Sequence, residues 1–200
     1  MIVSDDLDAL KAKLRAKLKQ RRAEAAAANG AAIAEVAATR FLEALPVQAG
    51  QVVAGYWPLA DELDPRPLLR QLQACGAAIA LPVAQAERAT PLEFRRWTDF
   101  GTAPPAGNWG IPAPEGDADR LEPDILLVPL VGFDKTGRRL GMGGGYYDAT
   151  LAALRAVRPV LAVGYAFAVQ QVPDVPHGER DQRLDWIVTE RAAIPCGKQD

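Results

Sequence analysis

In 200 residues the sequence carries one serine, Ser4, and one histidine, His177. A terminal serine ahead of a helical run makes a poor nucleophile, so the serine-histidine-acid chemistry of hydrolases is excluded. Cysteine is nearly as scarce: Cys75 and Cys196 are far apart, with no Cys or His neighbour at ligand spacing. That pattern indicates neither a structural zinc site nor a disulfide framework. No apolar run approaches the roughly 18–20 residues that a membrane span requires. The first residues, Met-Ile-Val-Ser-Asp-Asp-Leu-Asp, carry charge where a signal peptide has its apolar core, so a cytoplasmic protein with no membrane partner is expected. Nor does one sign of charge dominate: 23 Lys and Arg against 25 Asp and Glu leave a net −2, and generic coating of nucleic acid is not expected. Catalysis is left to carboxylates, cations, glycine loops, aromatic rings or a bound cofactor.

What is present reads as one domain over residues 1–200, long enough to bury a core, with 49% hydrophobic and 24% charged residues. Two alanine-rich helices, 5–28 and 31–45, are expected to be separated by Asn29-Gly30, with Ser4 as N-cap and Pro46 as terminator. The apolar run Val52–Tyr56 and the run Ala77–Val83 flank a helix from Pro65 to Cys75, with Asp64 placed to cap it and Gly76 to end it. Strand, helix and strand in about 30 residues predict a parallel βαβ unit. Leu92–Trp97 alternates as an edge or antiparallel strand does, and the Pro- and Gly-rich stretch Gly101–Gly116 reads as irregular. Asp124–Leu130 reads as a central parallel strand ended by Pro129. A helix over Tyr146–Val157, a strand over Val160–Tyr165 and a short strand over Trp186–Thr189 complete an α/β fold.

The segment Gly132–Asp148 carries the strongest chemical signal. Gly141, Gly143, Gly144 and Gly145 stand between a buried strand and a helix N-terminus, where unpaired amides and the helix dipole favour an anion. No Gly-Lys-Ser/Thr follows, so this is not a Walker A loop, and Tyr146 replaces the last glycine of a dinucleotide fingerprint. A tight turn would also ask for glycine. Four glycines in five positions, with Arg138 and Arg139 before them and Asp148 after, favour phosphate. Asp148 either complements the helix dipole or holds Mg²⁺ beside phosphates. Asp181 and Asp185 are equal candidates for a second carboxylate.

On the first helix Leu7, Leu10, Leu14 and Leu18 form a core-facing stripe. Lys11, Arg15 and Arg22 fall within about 40° of one another beside it, from where long side chains reach a neighbouring cleft and its phosphates. With Lys13, Lys17, Lys19 and Arg21 on the same helix, a solvated basic face is the competing reading. Trp57 and Trp109 lie in loops and, with Tyr147, could stack on a flat heterocycle whose N–H groups Glu62 accepts. Such ligands bind beyond the carboxyl ends of parallel strands.

At these residues the sequence resembles the 5-formyltetrahydrofolate cyclo-ligases, also called methenyltetrahydrofolate synthetases, over nearly its whole length. The likeness is carried by Lys11-x-x-x-Arg15, Asp61-Glu62, Trp109-Gly-Ile-Pro, the run from Pro129 to Gly-Gly-Gly-Tyr-Tyr-Asp148, and Asp181-x-x-Leu-Asp185. The resemblance implies a three-layer α/β sandwich with a mostly parallel sheet, related to the sugar-phosphate isomerase and coenzyme A transferase group. It implies an ATP- and Mg²⁺-dependent conversion of 5-formyltetrahydrofolate to 5,10-methenyltetrahydrofolate by a monomer, releasing ADP and phosphate. It assigns ATP to Lys11, Arg15, Arg139, Leu140, Gly141, Met142, Gly143, Gly144, Gly145, Tyr146 and Tyr147. It assigns folate to Trp57, Glu62, Trp109 and Tyr147, metal to Asp148 and Asp181, and catalysis to Arg139 and Tyr147. Met142 and Gly144 stand where some members carry basic residues, so the compensating charge is expected from Lys11, Arg15, Arg139 and the metal. A non-catalytic folate- or nucleotide-binding module and a sugar-phosphate isomerase relative are the alternatives. Replacing Asp148 by Ala is expected to lower turnover at least about tenfold with the fold intact; activity indifferent to a magnesium titration overturns the metal assignment.

Overall fold

Neighbouring residues of each strand point to opposite faces, and in this chain both faces are apolar. In the computed structural model, which describes residues 4–197, the row Ile79, Val53, Ile125 and Leu161 crosses four paired strands on one face. Ala80, Ala54, Leu126 and Ala162 form the row on the other. The strands are β1 (Val52–Ala54), β2 (Ala78–Val83), β3 (Glu93–Arg96), β4 (Ile125–Val128), β7 (Leu161–Tyr165), β8 (Trp186–Val188) and β9 (Ala193–Pro195). They lie in the order β3-β2-β1-β4-β7-β8-β9, with β2, β1, β4, β7 and β8 parallel and an antiparallel strand at each edge. A separate hairpin joins β5 (Gly132–Phe133) to β6 (Arg139–Leu140).

Helices α1 (Ser4–Ala44) and α2 (Arg66–Ala74) cover the first face, where Ala34, Ala37, Ala38 and Phe41 pack with Leu68, Leu69 and Leu72. Helix α3 (Tyr146–Val157) covers the second through Leu151 and Leu154. The result is the expected three-layer α/β arrangement, in which small residues on α1 let the helix approach the sheet closely. Full burial of each leucine of α2 is worth about 1.5–3 kcal/mol.

The helix expected to break at Asn29-Gly30 runs on past it as α1, kinked where Asn29 leaves helical geometry at φ −164° and ψ 39°. The Ser4 side chain, expected as its cap, lies outside the described residues. Leu18 is buried and Leu14 packs beside it, but Leu10 is 47% exposed, so the expected core-facing stripe is incomplete. Strand β1 ends at Ala54, two residues early. Gly55 lies so close to Leu69 that a Cβ there would sit 2.5 Å from Leu69 Cδ1, and Tyr56 turns inward to donate its hydroxyl to the Leu63 carbonyl at 2.6 Å. The stretch 101–116, read as irregular, contains a 3₁₀ turn at Asn108–Gly110, closed by a bridge between Ala106 and Pro112. Among the described residues no helix is long and apolar enough to cross a membrane.

Carboxylates knit the amino ends of the parallel strands. Asp124 accepts the Val52 N–H at 2.8 Å and pairs with Arg158, while Asp185 accepts the Ala162 N–H at 2.7 Å and pairs with Arg155 at 2.9 Å. The carboxyl ends are left to the loops that build the cleft.

Two glycines with the same backbone separate strain from crowding. Gly50 (φ +86°) has open space around a built Cβ, whereas at Gly137 (φ +85°) that atom would lie 2.4 Å from the Leu184 carbonyl oxygen. Gly50→Ala is expected to cost about 1 kcal/mol and Gly137→Ala about 2–4 kcal/mol in urea unfolding. Equal losses would remove the crowding at Gly137.

Candidate active site

The glycine loop begins where β6 ends. Gly143 (φ +97°) and Gly145 (φ +74°) are left-handed, and Gly145 starts α3 without a side-chain cap. Ala149 donates back to the Gly145 carbonyl, but among the described residues the amides of Gly143 to Asp148 have no acceptor. Met142 is exposed and the glycines are open or half-open, so the loop is accessible to solvent and is not sealed in the core. A helix start with unpaired, accessible amides is one that can receive an anion. The loop is braced on one side, where Gly144 O accepts the Ala89 N–H at 3.0 Å and the Tyr146 hydroxyl donates to Gln85 O at 3.1 Å. Gln85 and Ala89 belong to the loop after β2, which carried no sequence signal.

Cations converge on the other side. Arg15 donates from Nε to the Gly141 carbonyl at 2.8 Å, and its guanidinium carbon lies 3.7 Å from a Cβ built on Gly143. Lys11 Nζ pairs with Asp181 Oδ2 at 2.6 Å. Arg139 is almost wholly buried; its Nη2 pairs with Asp148 Oδ1 at 2.7 Å and its Nη1 donates to the Gln182 carbonyl. The Gln182 N–H returns to Asp148 Oδ1 at 2.8 Å. These contacts join the helix α1, the hairpin, α3 and the 178–185 segment in one cluster. Partial burial raises the Asp181 pKa, but the Lys11 and Gly178 hydrogen bonds and the charges of Lys11 and Arg139 outweigh it and hold the carboxyl below its ordinary value.

The geometry separates Asp181 from Asp185. Asp181 shares the Arg139 neighbourhood, while Asp185 pairs with Arg155 at the amino ends of the strands. Asp148 Oδ2 and Asp181 Oδ1 accept no hydrogen bond among the described residues, and no group of three or more His, Cys, Asp or Glu there forms a ready metal cage. Because Mg²⁺ usually takes one or two carboxylates and draws its other oxygens from phosphate and water, two half-engaged aspartates fit it. The pair with Arg139 also means that Asp148→Ala would uncover a buried guanidinium, contrary to the expectation that the fold stays intact; Asn keeps the acceptor.

Loops after β1 and β2 complete the rim. Glu62 is largely buried, with Oε2 accepting the Leu59 N–H at 3.0 Å. Burial raises its pKa, opposed by the Leu59 hydrogen bond and by Arg22, while Asp61 adds to the rise. Tyr147 is close enough to feel the Glu62 charge; burial first, then Glu62, raises its pKa far above that of an ordinary phenol, against Arg139, so it remains a protonated donor. Trp57 lies beneath Arg66, 4.9 Å from the guanidinium carbon to the ring centre, with Arg66 itself held by Asp64. Trp109 is 59% exposed; Arg88 stacks 5.4 Å from its ring centre and its indole N–H reaches Gln85 O at 3.4 Å. Tyr146 and Trp109 thus share one carbonyl. Arg22, grouped by helical angle with Lys11 and Arg15, does not join their cluster with Arg139: it is buried against Asp61 and Glu62.

Residues 8–190 match the model of the 5-formyltetrahydrofolate cyclo-ligase family. The chain is 34% identical over 176 residues to the 5-formyltetrahydrofolate cyclo-ligase of Escherichia coli K12, covering 86% of this chain and 96% of that one. It is 32% identical over 196 residues to the 5-formyltetrahydrofolate cyclo-ligase of Mycolicibacterium smegmatis, covering 92% and 95%. The solution structure of the 5,10-methenyltetrahydrofolate synthetase of Aquifex aeolicus superposes with a TM-score of 0.75 at 27% identity, covering 96% of this chain and 95% of that one.

The raised Glu62 pKa carries a sign. The unfolded chain gives up this proton at a lower pH than the folded protein, so stability falls as pH rises from the ordinary glutamate value to the raised one. Glu62→Gln is therefore expected to be more stable than the parent at neutral pH, with the difference closing below about pH 4. Urea midpoints across that range test it, and parallel curves would deny the shift.

Proposed function

Because the chain belongs to the 5-formyltetrahydrofolate cyclo-ligase family, we propose that it cyclises 5-formyltetrahydrofolate to 5,10-methenyltetrahydrofolate at the expense of ATP. The observation that carries the reading to these residues is the run of acceptor-free amides at Gly143–Asp148, flanked by Lys11, Arg15 and Arg139. The formyl oxygen is a weak nucleophile and hydroxide a poor leaving group. Transfer of the γ-phosphoryl to that oxygen releases ADP and creates a leaving group. N10 then attacks the formyl carbon and loses its proton, and phosphate departs with the original formyl oxygen as the C–N double bond forms. Such a sequence asks the protein for placement and charge, and needs no serine, histidine or cysteine nucleophile.

In this reading the polyphosphate lies along Leu140, Gly141, Met142, Gly143, Gly144, Gly145, Tyr146 and Tyr147. Arg139 spreads the charge of the phosphoryl in transit, and the protonated Tyr147 donates a hydrogen bond at the junction with the folate. Glu62 accepts pterin N–H groups while Trp57 and Trp109 flank the ring. Asp148 and Asp181 would hold Mg²⁺, which when bound neutralises phosphate oxygens. One chain supplies every residue named, so a monomer acting in the cytoplasm suffices, with reduced folate and ATP as partners and no nucleic acid or membrane.

The test is optical. Purified protein given 5-formyltetrahydrofolate, ATP and MgCl₂ is expected to develop the methenyl chromophore, with none when ATP is omitted. Asp148→Asn, which spares the Arg139 contact, is expected to cut the rate at least about tenfold and to raise the magnesium requirement. Folate binding without product would make this a non-catalytic module, and product without ATP would overturn the mechanism.

A further inference from the structure

Among the described residues, one buried cation remains outside the Lys11, Arg15 and Arg139 cluster. Arg22, only 4% exposed, leaves α1 one helical turn after Leu18 and reaches the carboxyl ends of the sheet. Its Nε and Nη2 donate to the two Asp61 oxygens at 3.1 and 2.8 Å. Nη1 donates to the Leu130 carbonyl at 3.3 Å and lies 3.7 Å from Glu62 Oε1. The Leu130 and Val131 carbonyls are also tied by Gln170 Nε2, at 2.7 and 3.1 Å, and Gln170 Oε1 accepts the Phe167 N–H at 2.8 Å. Arg22 and Gln170 therefore fasten together the loops that follow β1, β4 and β7.

The fork is matched unequally to its partners. Asp61 takes the bidentate face, and Glu62 shares the remaining amino group with a carbonyl. Two adjacent carboxylates in a partly dry site cannot both ionise cheaply without that cation. The turn that presents them is closed both ways, Leu59 N–H to Glu62 Oε2 and Glu62 N–H to Leu59 O, with Ala60 at φ +42° at its tip.

We propose that Arg22 is a positioning residue for the folate substrate: it fixes the 59–62 turn against the segment leading to the glycine loop and so holds the Glu62 carboxyl group in place as the acceptor for the pterin. The proposal rests on Glu62 being a folate contact. Among the described residues, the groups that act on Glu62 are Arg22 from α1, Asp61 on its own loop, Tyr56 two residues past β1 and Tyr147 of α3. Among them Arg22 is the one cation and Asp61 the one other carboxylate, so replacing them moves Glu62 in opposite directions.

The experiment combines carboxyl carbon NMR titration of the whole protein with steady-state kinetics, the Glu62 resonance being assigned by its loss in Glu62→Gln. Arg22→Gln is expected to raise the Glu62 midpoint and Asp61→Asn to lower it. Arg22→Gln is also expected to raise the KM for 5-formyltetrahydrofolate about tenfold or more while the KM for ATP stays within about threefold, and Arg22→Lys, which keeps charge but not the fork, to fall between. Should Arg22→Gln fail to fold, Arg22→Lys and Asp61→Asn carry the same comparisons. Unmoved midpoints, or a KM for ATP that rises in step, overturn the proposal. A Glu62→Gln enzyme with an unchanged folate KM overturns it too, by removing the contact. A parent protein that makes no product retires the activity and this folate role together, while the titration still reads whether Arg22 governs Glu62.

Discussion

The buried guanidinium of Arg139 is the constraint on which the site depends. A cation so enclosed must find its partners in fixed places, and it finds them on two other elements: the nearby first turn of α3 through Asp148 and the 178–185 segment, more than forty residues on, through the Gln182 carbonyl. Asp148 in turn accepts the Gln182 N–H, which makes a closed ring of three residues. The cost of leaving any of them unpaired is several kcal/mol, which holds the hairpin, the helix start and the 178–185 segment together. With α3 so anchored, its first amides keep no acceptor among the described residues, and no side chain caps the dipole at that end.

Much of the layered architecture was legible because both faces of a parallel sheet are dry and their strands are uninterrupted apolar runs. Ile125–Val128 and Leu161–Tyr165 are of this kind, and Tyr146–Val157 was bounded at both ends by its own residues. The β5–β6 hairpin escaped because two-residue strands have no period to detect. Its turn is instead built by buried Asp134, whose Oδ1 accepts the Thr136 N–H at 2.8 Å and whose Oδ2 accepts the Val175 N–H at 3.0 Å. Strand β9 escaped for the same reason, its three residues ending in proline.

At the site, residue types were legible and partners were not. Helical angle put Arg22 with Lys11 and Arg15, but angle says nothing of what stands opposite, and the loop after β1 brings two carboxylates there. Spacing left Asp181 and Asp185 equivalent; the sheet separates them because Asp185 sits at the start of β8 and Asp181 in the loop before it. Gln85 and Ala89 act through a backbone carbonyl and a backbone N–H, which nearly every residue type carries, so no residue type marks them. The comparisons support the family and the fold; the division of labour within the cleft rests on the contacts themselves.

The long first helix is held by two different forces on either side of its kink. Beyond Asn29 it is fixed by alanines and Phe41 against the sheet, while ahead of Leu18 its tertiary hydrogen bonds run through Lys11 to Asp181 and through Arg15 to the glycine loop. Apolar contact is indifferent to dissolved electrolyte at moderate concentration, whereas partly exposed ion pairs are screened by it. The two halves of one helix thus answer to different solvents: ionic strength reaches the end that carries the cations, weakly because the Lys11–Asp181 pair is part-buried and Arg15 bonds a carbonyl, and leaves the buried end in place.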